Sequence, residues 1–389
     1  MSTATVPLGA VAELRSGVGF PTRLQGRPSG DFPFAKVGDI SAVGRAGGRD
    51  LSSANHYVDV ADLRTLRAKT FPAGTVVFAK IGEAIRQNFR AVVTRPLLLD
   101  NNAMGATPGP GIDSTYLFHF LSSIDLYPLA QSTTVPSLRK SDLARIPIPL
   151  PPIEEQRRIA AVLDAADALR AKRRQALAKL DTLTQAIFID MFGDPLAEDP
   201  GRELGELVRF VGGGTPSKAV PEYFEGDICW ATSKDMRGRF LDNTIDHITS
   251  EAVASSATKL VPPGTVLVVV KSKVLAHRLP VTISRVPTCF GQDLKGLLPH
   301  DGVTSEFVAN CLRASASWLL RQARGVNTEG LTLEQLRRTP VPRATRTEIG
   351  HFTVTIKAVE VRRNDVAESL EQLNTLFASL QQRAFRGEL

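Results

Sequence analysis

The chain has 389 residues, 43% of them hydrophobic and 22% charged, which suffices for two or three packed domains. No apolar run approaches the roughly 20 residues that a membrane-spanning helix needs, and the N-terminus lacks the basic and apolar regions of a secretory signal. Three scattered cysteines do not form a disulfide framework, so we expect a cytoplasmic protein. The net charge of +7 suits a nucleic-acid partner without requiring one.

The first segment, residues 1–150, has the pattern of a mixed α/β domain. Residues 74–79 form a short β-rich run that begins with glycine, and this predicts a strand. Residues 114–123 predict a helix that begins with a serine N-cap.

Residues 153–191 contain no glycine or proline and follow a block of four prolines, so they predict one long helix. Its apolar positions alternate by three and four residues, as in a coiled coil. The positions assigned to packing are Ile159, Leu163, Leu177, Leu180 and Ile187. A basic run at residues 170–174 interrupts the stripe, and the sequence leaves open whether it meets DNA, a protein partner or water.

An internal repeat of about 195 residues accounts for nearly the whole chain. Leu8-Gly9 recurs as Leu204-Gly205, and residues 71–76 recur as residues 261–266. In the second copy, residues 264–270 and 279–284 predict strands, and residues 305–320 predict a helix with a serine N-cap.

The second copy predicts its own long helix at residues 348–385, with an interruption at Arg363 that corresponds to Arg170. Its packing positions include Ile356, Leu370, Leu373 and Leu380. We therefore expect an antiparallel pair of coiled-coil-like helices between two globular domains. The predicted segments are domain 1 (1–150), the first long helix (151–192), domain 2 (201–343), and the second long helix with the C-terminal tail (344–389).

We find no catalytic motif. The chain lacks the Asn/Asp-Pro-Pro-aromatic motif of amino-methyltransferases and lacks a GxGxxG after a strand. The glycine-rich run at residues 212–218 lacks the Gly-Lys-Ser/Thr ending of a phosphate loop, so we interpret it as a turn. None of the six histidines has the spacing of a zinc ligand, and no metal site is expected.

Basic and amide side chains occur in loops of both copies, where they can contact phosphates and base edges. In the first copy the candidates are Lys36, Lys80, Arg86, Gln87, Asn88, Arg90, Thr133, Ser137, Arg139 and Lys140. In the second copy they are Lys234, Arg237, Arg239, Lys271, Lys273, Arg278, Arg324 and Asn327. Loops are rich in such residues in most proteins, so an ordinary solvated surface is the alternative.

Two motifs are informative, the run PIPLPPIEEQRRI at residues 147–159 and GGTPS at residues 213–217. The first is similar to the opening of the conserved helical region in the specificity (S) subunits of Type I restriction-modification systems, and the second resembles the start of their target recognition domains. FRGEL at residues 385–389 is similar to their usual C-terminal ending. The second helix departs from the pattern, because it opens without the Pro-Pro pair and the Glu-Gln.

This resemblance implies a non-catalytic subunit whose two target recognition domains read the halves of an asymmetric DNA sequence. The helix pair then sets the spacer and docks two methyltransferase (M) subunits. The partners are double-stranded DNA, the M subunits and, in complexes that also cleave, restriction (R) subunits. The chain itself holds no cofactor, and S-adenosylmethionine, ATP and Mg are used by the partner subunits. The alternatives are a DNA methyltransferase with diverged motifs and an orphan DNA-binding scaffold.

Overall fold

The computed structural model describes residues 4–130, 135–197, 201–323 and 330–389. The chain divides into two compact units. Unit 1 comprises Met1–Gln175 and Ala367–Leu389, and unit 2 comprises Ala176–Val366. Each long helix therefore contributes one part to each unit.

Ten short strands of unit 1 form three sheets. They are β1 (Thr5–Pro7), β2 (Ala12–Ser16), β3 (Phe32–Ala35), β4 (Asp50–Leu51), β5 (Tyr57–Val58), β6 (Val76–Ala79), β7 (Arg90–Val93), β8 (Leu98–Leu99), β9 (Ala103–Pro108) and β10 (Pro147–Pro149). The main sheet has the order β2-β9-β6-β7-β4, a smaller sheet has the order β5-β3-β8, and β1 pairs with β10. The β4–β7 and β3–β8 pairs are parallel, and the others are antiparallel.

Unit 2 repeats this topology strand for strand. Its strands are β11 (Arg202–Glu203), β12 (Val208–Gly212), β13 (Ile228–Ala231), β14 (Phe240–Leu241), β15 (Asp246–Ile248), β16 (Val266–Val269), β17 (Val281–Ser284), β18 (Thr288–Phe290), β19 (Leu294–Pro299) and β20 (Pro340–Val341). The sheet orders are β12-β19-β16-β17-β14, β15-β13-β18 and β11-β20. The predicted mixed α/β fold with two repeated domains is thus confirmed.

Four helices of the first copy recur in the second. The helices that precede the second copy are α1 (Leu8–Val11), α2 (Val37–Arg45), α3 (Val60–Leu66), α4 (Ser114–Ser123), α5 (Lys140–Ala144) and α6 (Ile153–Phe192). Those that follow are α7 (Ser250–Ala254), α8 (Ser305–Ala314), α9 (Ala316–Gln322), α10 (Leu333–Arg337) and α11 (Arg346–Ala384). The helices α3, α4, α5 and α6 correspond to α7, α8, α10 and α11, whereas α1, α2 and α9 have no α-helical counterpart among the described residues. None of the helices in the described part of the chain is both long and apolar enough to cross a membrane.

The central strands β6 and β16 are buried along their whole length, which explains their unbroken apolar sequence. Each follows a tight turn in which a glycine has positive φ, +86° at Gly74 and +87° at Gly264. The next residue closes the turn, because the hydroxyl of Thr75 donates to Pro72 O at 2.8 Å. In each copy the turn includes the first two residues of the predicted strand. The strands β6 and β16 therefore begin two residues later than predicted.

Both long helices lie within two residues of their predicted ends. In unit 1 they run antiparallel, since Arg170 Nε donates to Asn374 Oδ1 at 2.8 Å and Arg173 Nε to Ser369 Oγ at 3.1 Å. In unit 2 the direction is again antiparallel, since Arg363 Nε donates to Asp181 Oδ1 at 2.8 Å, and the Phe188 and Phe352 rings are 5.7 Å apart.

Two details of the helix predictions are wrong. The N-caps are Asp113 and Thr304, one residue before the predicted serines, because the capping residue is the last non-helical one. The carboxylate of Asp113 accepts from two backbone N–H groups, at 2.8 and 3.0 Å. The helix predicted at residues 305–320 is interrupted at Ser315, so that α8 and α9 are separate.

Candidate nucleic-acid interface

Three of the predicted contact residues of unit 1 surround the turn between β8 and β9, which we call turn 1 (residues 100–102). Lys80 N donates to Asn102 O at 2.7 Å, so Lys80 lies directly beside the turn. Lys36 follows β3, whose Ala35 O accepts from the turn at 3.0 Å. Ser137 forms a β-bridge with Ile81, the residue after Lys80. Two lysines and one serine thus lie next to turn 1.

A second group of predicted residues lies around Tyr127. The guanidinium of Arg86 stacks on the Tyr127 ring at 3.8 Å and also binds Glu83 at 2.9 Å. Its side chain is 61% exposed. Gln87 accepts a hydrogen bond from Arg45 at 3.2 Å, and the Asn88 amide donates to the backbone at 3.0 Å. Arg86 is therefore the residue of this group with a cation available to a phosphate.

Arg90 is a correction to the predicted interface. It is only 5% exposed, because it lies on β7, and its guanidinium donates to Asn88 Oδ1 at 2.6 Å and to the carbonyls of Phe89 and Leu121. Burial lowers the pKa of Arg90 to about 10, with Asp125 opposing this, so the group stays charged at neutral pH and needs these acceptors. Arg90 therefore stabilises the fold of unit 1 and does not lie on its surface.

Unit 2 places most of its predicted residues on loops. Lys234 and Arg237 are exposed after β13, and Lys271, Lys273 and Arg278 are exposed after β16. Arg139 and Lys140 of unit 1 are likewise exposed, at the start of α5. Thr133, Arg324 and Asn327 lie outside the described residues.

Arg239 is a second correction, because it binds the long helices and not the solvent. Its Nη1 pairs with Glu360 of α11 at 3.0 Å, and its Nη2 donates to Asp181 O of α6 at 2.8 Å. The side chains of Arg239 and Glu360 are 18% and 8% exposed. The half-buried Arg313 lies in the same electrostatic cluster, and desolvation lowers its pKa to about 10.

Unit 1 has an equivalent clamp between a domain and a helix. The carboxylate on α6 is Asp164, which corresponds to Lys357, three residues before Glu360, at the offset of 193 that relates Arg170 to Arg363. Its Oδ1 accepts from Arg49 Nη1 and from His119 Nε2, both at 2.7 Å. Although burial opposes the effect, these two bonds lower the pKa of Asp164. An arginine and a helix carboxylate thus hold each domain to a long helix.

Arginines occupy the positions at which the apolar stripe of α6 is interrupted. Arg170 binds Asp167 at 2.7 Å and covers the Phe377 ring at 4.2 Å, and its side chain is 18% exposed. Arg173 binds Ser369. Two members of the basic run therefore serve helix pairing in unit 1, while Lys172 is exposed.

The predicted packing residues differ in how deeply they are buried. Ile159 and Leu163 belong to the core of unit 1, and Ile356 belongs to that of unit 2. Leu380 and Ile187 pack at the edges of these cores. The remaining four are half-buried along the middle of the helix pair: Leu177, Leu180, Leu370 and Leu373.

Sequence reasoning missed the exposed amides of turn 1, Asn101 and Asn102. It also missed Gln292 in the corresponding turn of unit 2. The available signal was the repeat, since both turns follow a buried strand at the same place in their copies. Within the described residues, no group of three or more His, Cys, Asp and Glu side chains is placed to hold a metal ion.

The family model for the Type I restriction modification DNA specificity domain matches residues 3–180 and 201–343. The chain belongs to this family. It is similar to the EcoR124I/EcoR124II specificity subunit of Escherichia coli, with 33% identity over 186 residues, which is 46% of each protein. The chain spans less than half the length of the curated relatives it matches.

Two solved structures share the fold of this family member. One comes from a study of complex assembly and conformational transition of a type I R-M system, with a TM-score of 0.61 and 21% identity, and covers 100% of this chain and 98% of that one. The other is a Type-I restriction-modification S subunit from M. genitalium, with a TM-score of 0.55 and 13% identity, and covers 98% and 96%. At these identities the likeness concerns the fold.

Proposed function

We propose that the chain is the DNA-specificity subunit of a Type I restriction-modification complex. The observation that carries this proposal is the repeat itself. Two domains of one topology each present basic and amide side chains on corresponding loops, while these side chains differ between the copies. Such a pair suits an asymmetric target with two different half-sites.

In this proposal the segments keep their predicted boundaries. Residues 1–150 and 201–343 are the recognition domains, and residues 151–192 and 344–389 provide the long helices and the tail. The chain is not catalytic. Two M subunits bring S-adenosylmethionine, and R subunits, where present, bring ATP and Mg for cleavage. The family membership supports this division of labour.

The decisive experiment is methylome sequencing of a host that expresses this chain with its M subunit. We expect one bipartite motif with a fixed spacer. Methylation by the purified chain with S-adenosylmethionine alone would contradict the non-catalytic role and favour a diverged methyltransferase. A chain that forms no stable complex with the M subunit in size-exclusion chromatography would instead be an orphan scaffold.

The helices are proposed to set the spacer. Inserting four residues after Ala178 lengthens α6 by about 6 Å at 1.5 Å per residue, so the motif should change or be lost. The substitution Lys179→Ala at the neighbouring exposed position keeps the length and should leave the motif intact. An unchanged motif in the insertion variant refutes the spacer role.

The two domains are proposed to read independently. Arg86→Ala removes an exposed cation from unit 1, so binding at the first half-site should weaken while the preference at the second stays the same. Arg90→Lys is not a suitable probe, because Arg90 is buried. Equal loss of preference at both half-sites argues against independent domains.

A further inference from the structure

Turn 1 is held in a fixed backbone frame. Asp100 N donates to Ala35 O at 3.0 Å, and Asn102 O accepts from Lys80 N at 2.7 Å and from Ile81 N at 3.2 Å. The turn is thereby tied to the ends of β3 and β6. The peptide groups of Asp100 and Asn102 that make these bonds are used within the domain, and the turn also carries exposed side chains.

The turn between β18 and β19, which we call turn 2 (residues 291–293), has the same frame. Gly291 N donates to Ala231 O at 2.9 Å, and Asp293 O accepts from Val270 N at 2.8 Å and from Lys271 N at 3.3 Å. These bonds match those of turn 1 to within about 0.1 Å, residue by residue through the repeat. The frame is common to the two units.

A glycine closes the back of each turn. A Cβ at Gly17 would lie 2.0 Å from Asp100 O, and a Cβ at Gly213 would lie 2.2 Å from Gly291 O. Both distances are far below van der Waals contact, so no other residue fits at either position. This explains a glycine of the GGTPS motif without any ligand.

The side chains that the two turns present are different. Turn 1 carries Asn101 and Asn102, both exposed, whereas turn 2 carries an exposed Gln292 and a half-buried Asp293. Within the described residues, the amides of Asn101 and Gln292 have no hydrogen-bond partner. The neighbouring cations also differ, since Lys80 of unit 1 corresponds to Val270.

Backbone geometry does not explain the asparagines. Asparagine is often retained in turns because it tolerates a positive φ. In the described part of the chain the non-glycine residues with positive φ are Arg67 and Asn88, and neither Asn101 nor Asn102 is among them. The exposed amides of Asn101 and Gln292 are therefore free to act on a partner, whereas Asn102 Nδ2 donates to Asp100 Oδ2 at 3.4 Å. Asparagine and glutamine amides pair with adenine edges, and aspartate accepts from cytosine.

We propose that turns 1 and 2 are the base-reading elements of the two domains, and that their differing side chains distinguish the two half-sites. This inference rests on the function proposed above. The common frame fixes where each turn meets the DNA, and the side chains at residues 101–102 and 292–293 determine which bases are preferred.

The test is a graft between the turns. The double variant Asn101→Gln, Asn102→Asp is expressed with the M subunit, and its methylome is compared with that of the unaltered chain. We expect the first half-site to change at one or more positions and the second to stay the same. In competition binding, the preference for the original base should fall at least about fivefold, the effect of losing one bidentate contact. Gln382→Ala, which removes an exposed amide from α11, should change neither half-site.

The remaining outcomes overturn the inference. An unchanged first half-site in a normally assembled complex means that turn 1 does not read bases, while the proposed function stands. Changes at both half-sites contradict independent turns. If the graft does not fold, Asn101→Ala gives the same decision, because that side chain makes no internal bond. If the unaltered chain itself gives no bipartite motif, the proposed function fails and the inference with it.

Discussion

We expect the loss of the Glu360 carboxylate to lower the stability of unit 2. This carboxylate is 8% exposed and accepts from Arg239, and the half-buried Arg313 lies in the same electrostatic cluster. Burial is the largest cause of the lowered pKa of Arg313, the charge of Arg239 adds to it, and Glu360 opposes it. Glu360→Gln keeps the size of the side chain and leaves the largely buried Arg239 without its carboxylate.

Breaking a buried ion pair by removing one partner typically costs about 3–5 kcal/mol. We expect the low end, about 3 kcal/mol, because Arg239 is 18% exposed and water can reach part of it. For a unit of this size, 1 kcal/mol shifts Tm by about 2–4 °C, so Tm of unit 2 should fall by roughly 6–12 °C.

Tryptophan fluorescence measures this unit selectively, because both tryptophans, Trp230 and Trp318, belong to unit 2. The matched control is Asp365→Asn on the same helix, whose pair with Arg362 is exposed and spans 4.0 Å. The control should shift Tm by no more than about 1–2 °C. A Tm shift for Glu360→Gln as small as that of the control would refute the view that the Arg239–Glu360 pair stabilises unit 2.

Three further predictions concern unit 1 and are read by amide hydrogen exchange. Because the pKa of Asp164 is lowered on folding, its contribution to stability is present above about pH 4 and is lost as the pH falls through the folded pKa. Asp164→Asn should therefore flatten the dependence of the stability of unit 1 on pH in this acidic range. Gln156→Leu should destabilise by about 2–4 kcal/mol, because the fully buried amide makes three hydrogen bonds to backbone groups; an effect below 1 kcal/mol contradicts this. Arg170→Ala should loosen the helix pair by about 1–2 kcal/mol, whereas Glu154→Ala, at an exposed pair on the same helix, should have almost no effect.

The architecture was predictable because repeats and breakers are local signals. The proline block before Ile153 fixes the start of α6 to the residue, and the repeat predicts a partner helix of similar length. The interruption at Ser315 was not predictable, since nothing in the surrounding apolar pattern marks the end of α8.

Candidate contact residues were harder to identify, because residue type does not reveal burial. Arg90 and Arg239 have the same chemistry as the exposed Arg86 and Arg237, yet each binds a partner that is distant in the sequence, Leu121 for Arg90 and Glu360 for Arg239. Glu360 lies 121 residues from Arg239 in the chain. Only the folded structure brings such a carboxylate to its arginine.

The middle of α6 carries no buried residue. Between Ala166 and Thr184 every side chain is at least partly exposed. Substitutions at the exposed positions of this stretch remove little apolar contact, whereas those at either end disturb a domain core. One continuous helix thus has a tolerant centre between two constrained ends, so its length and surface can drift over generations without endangering either fold.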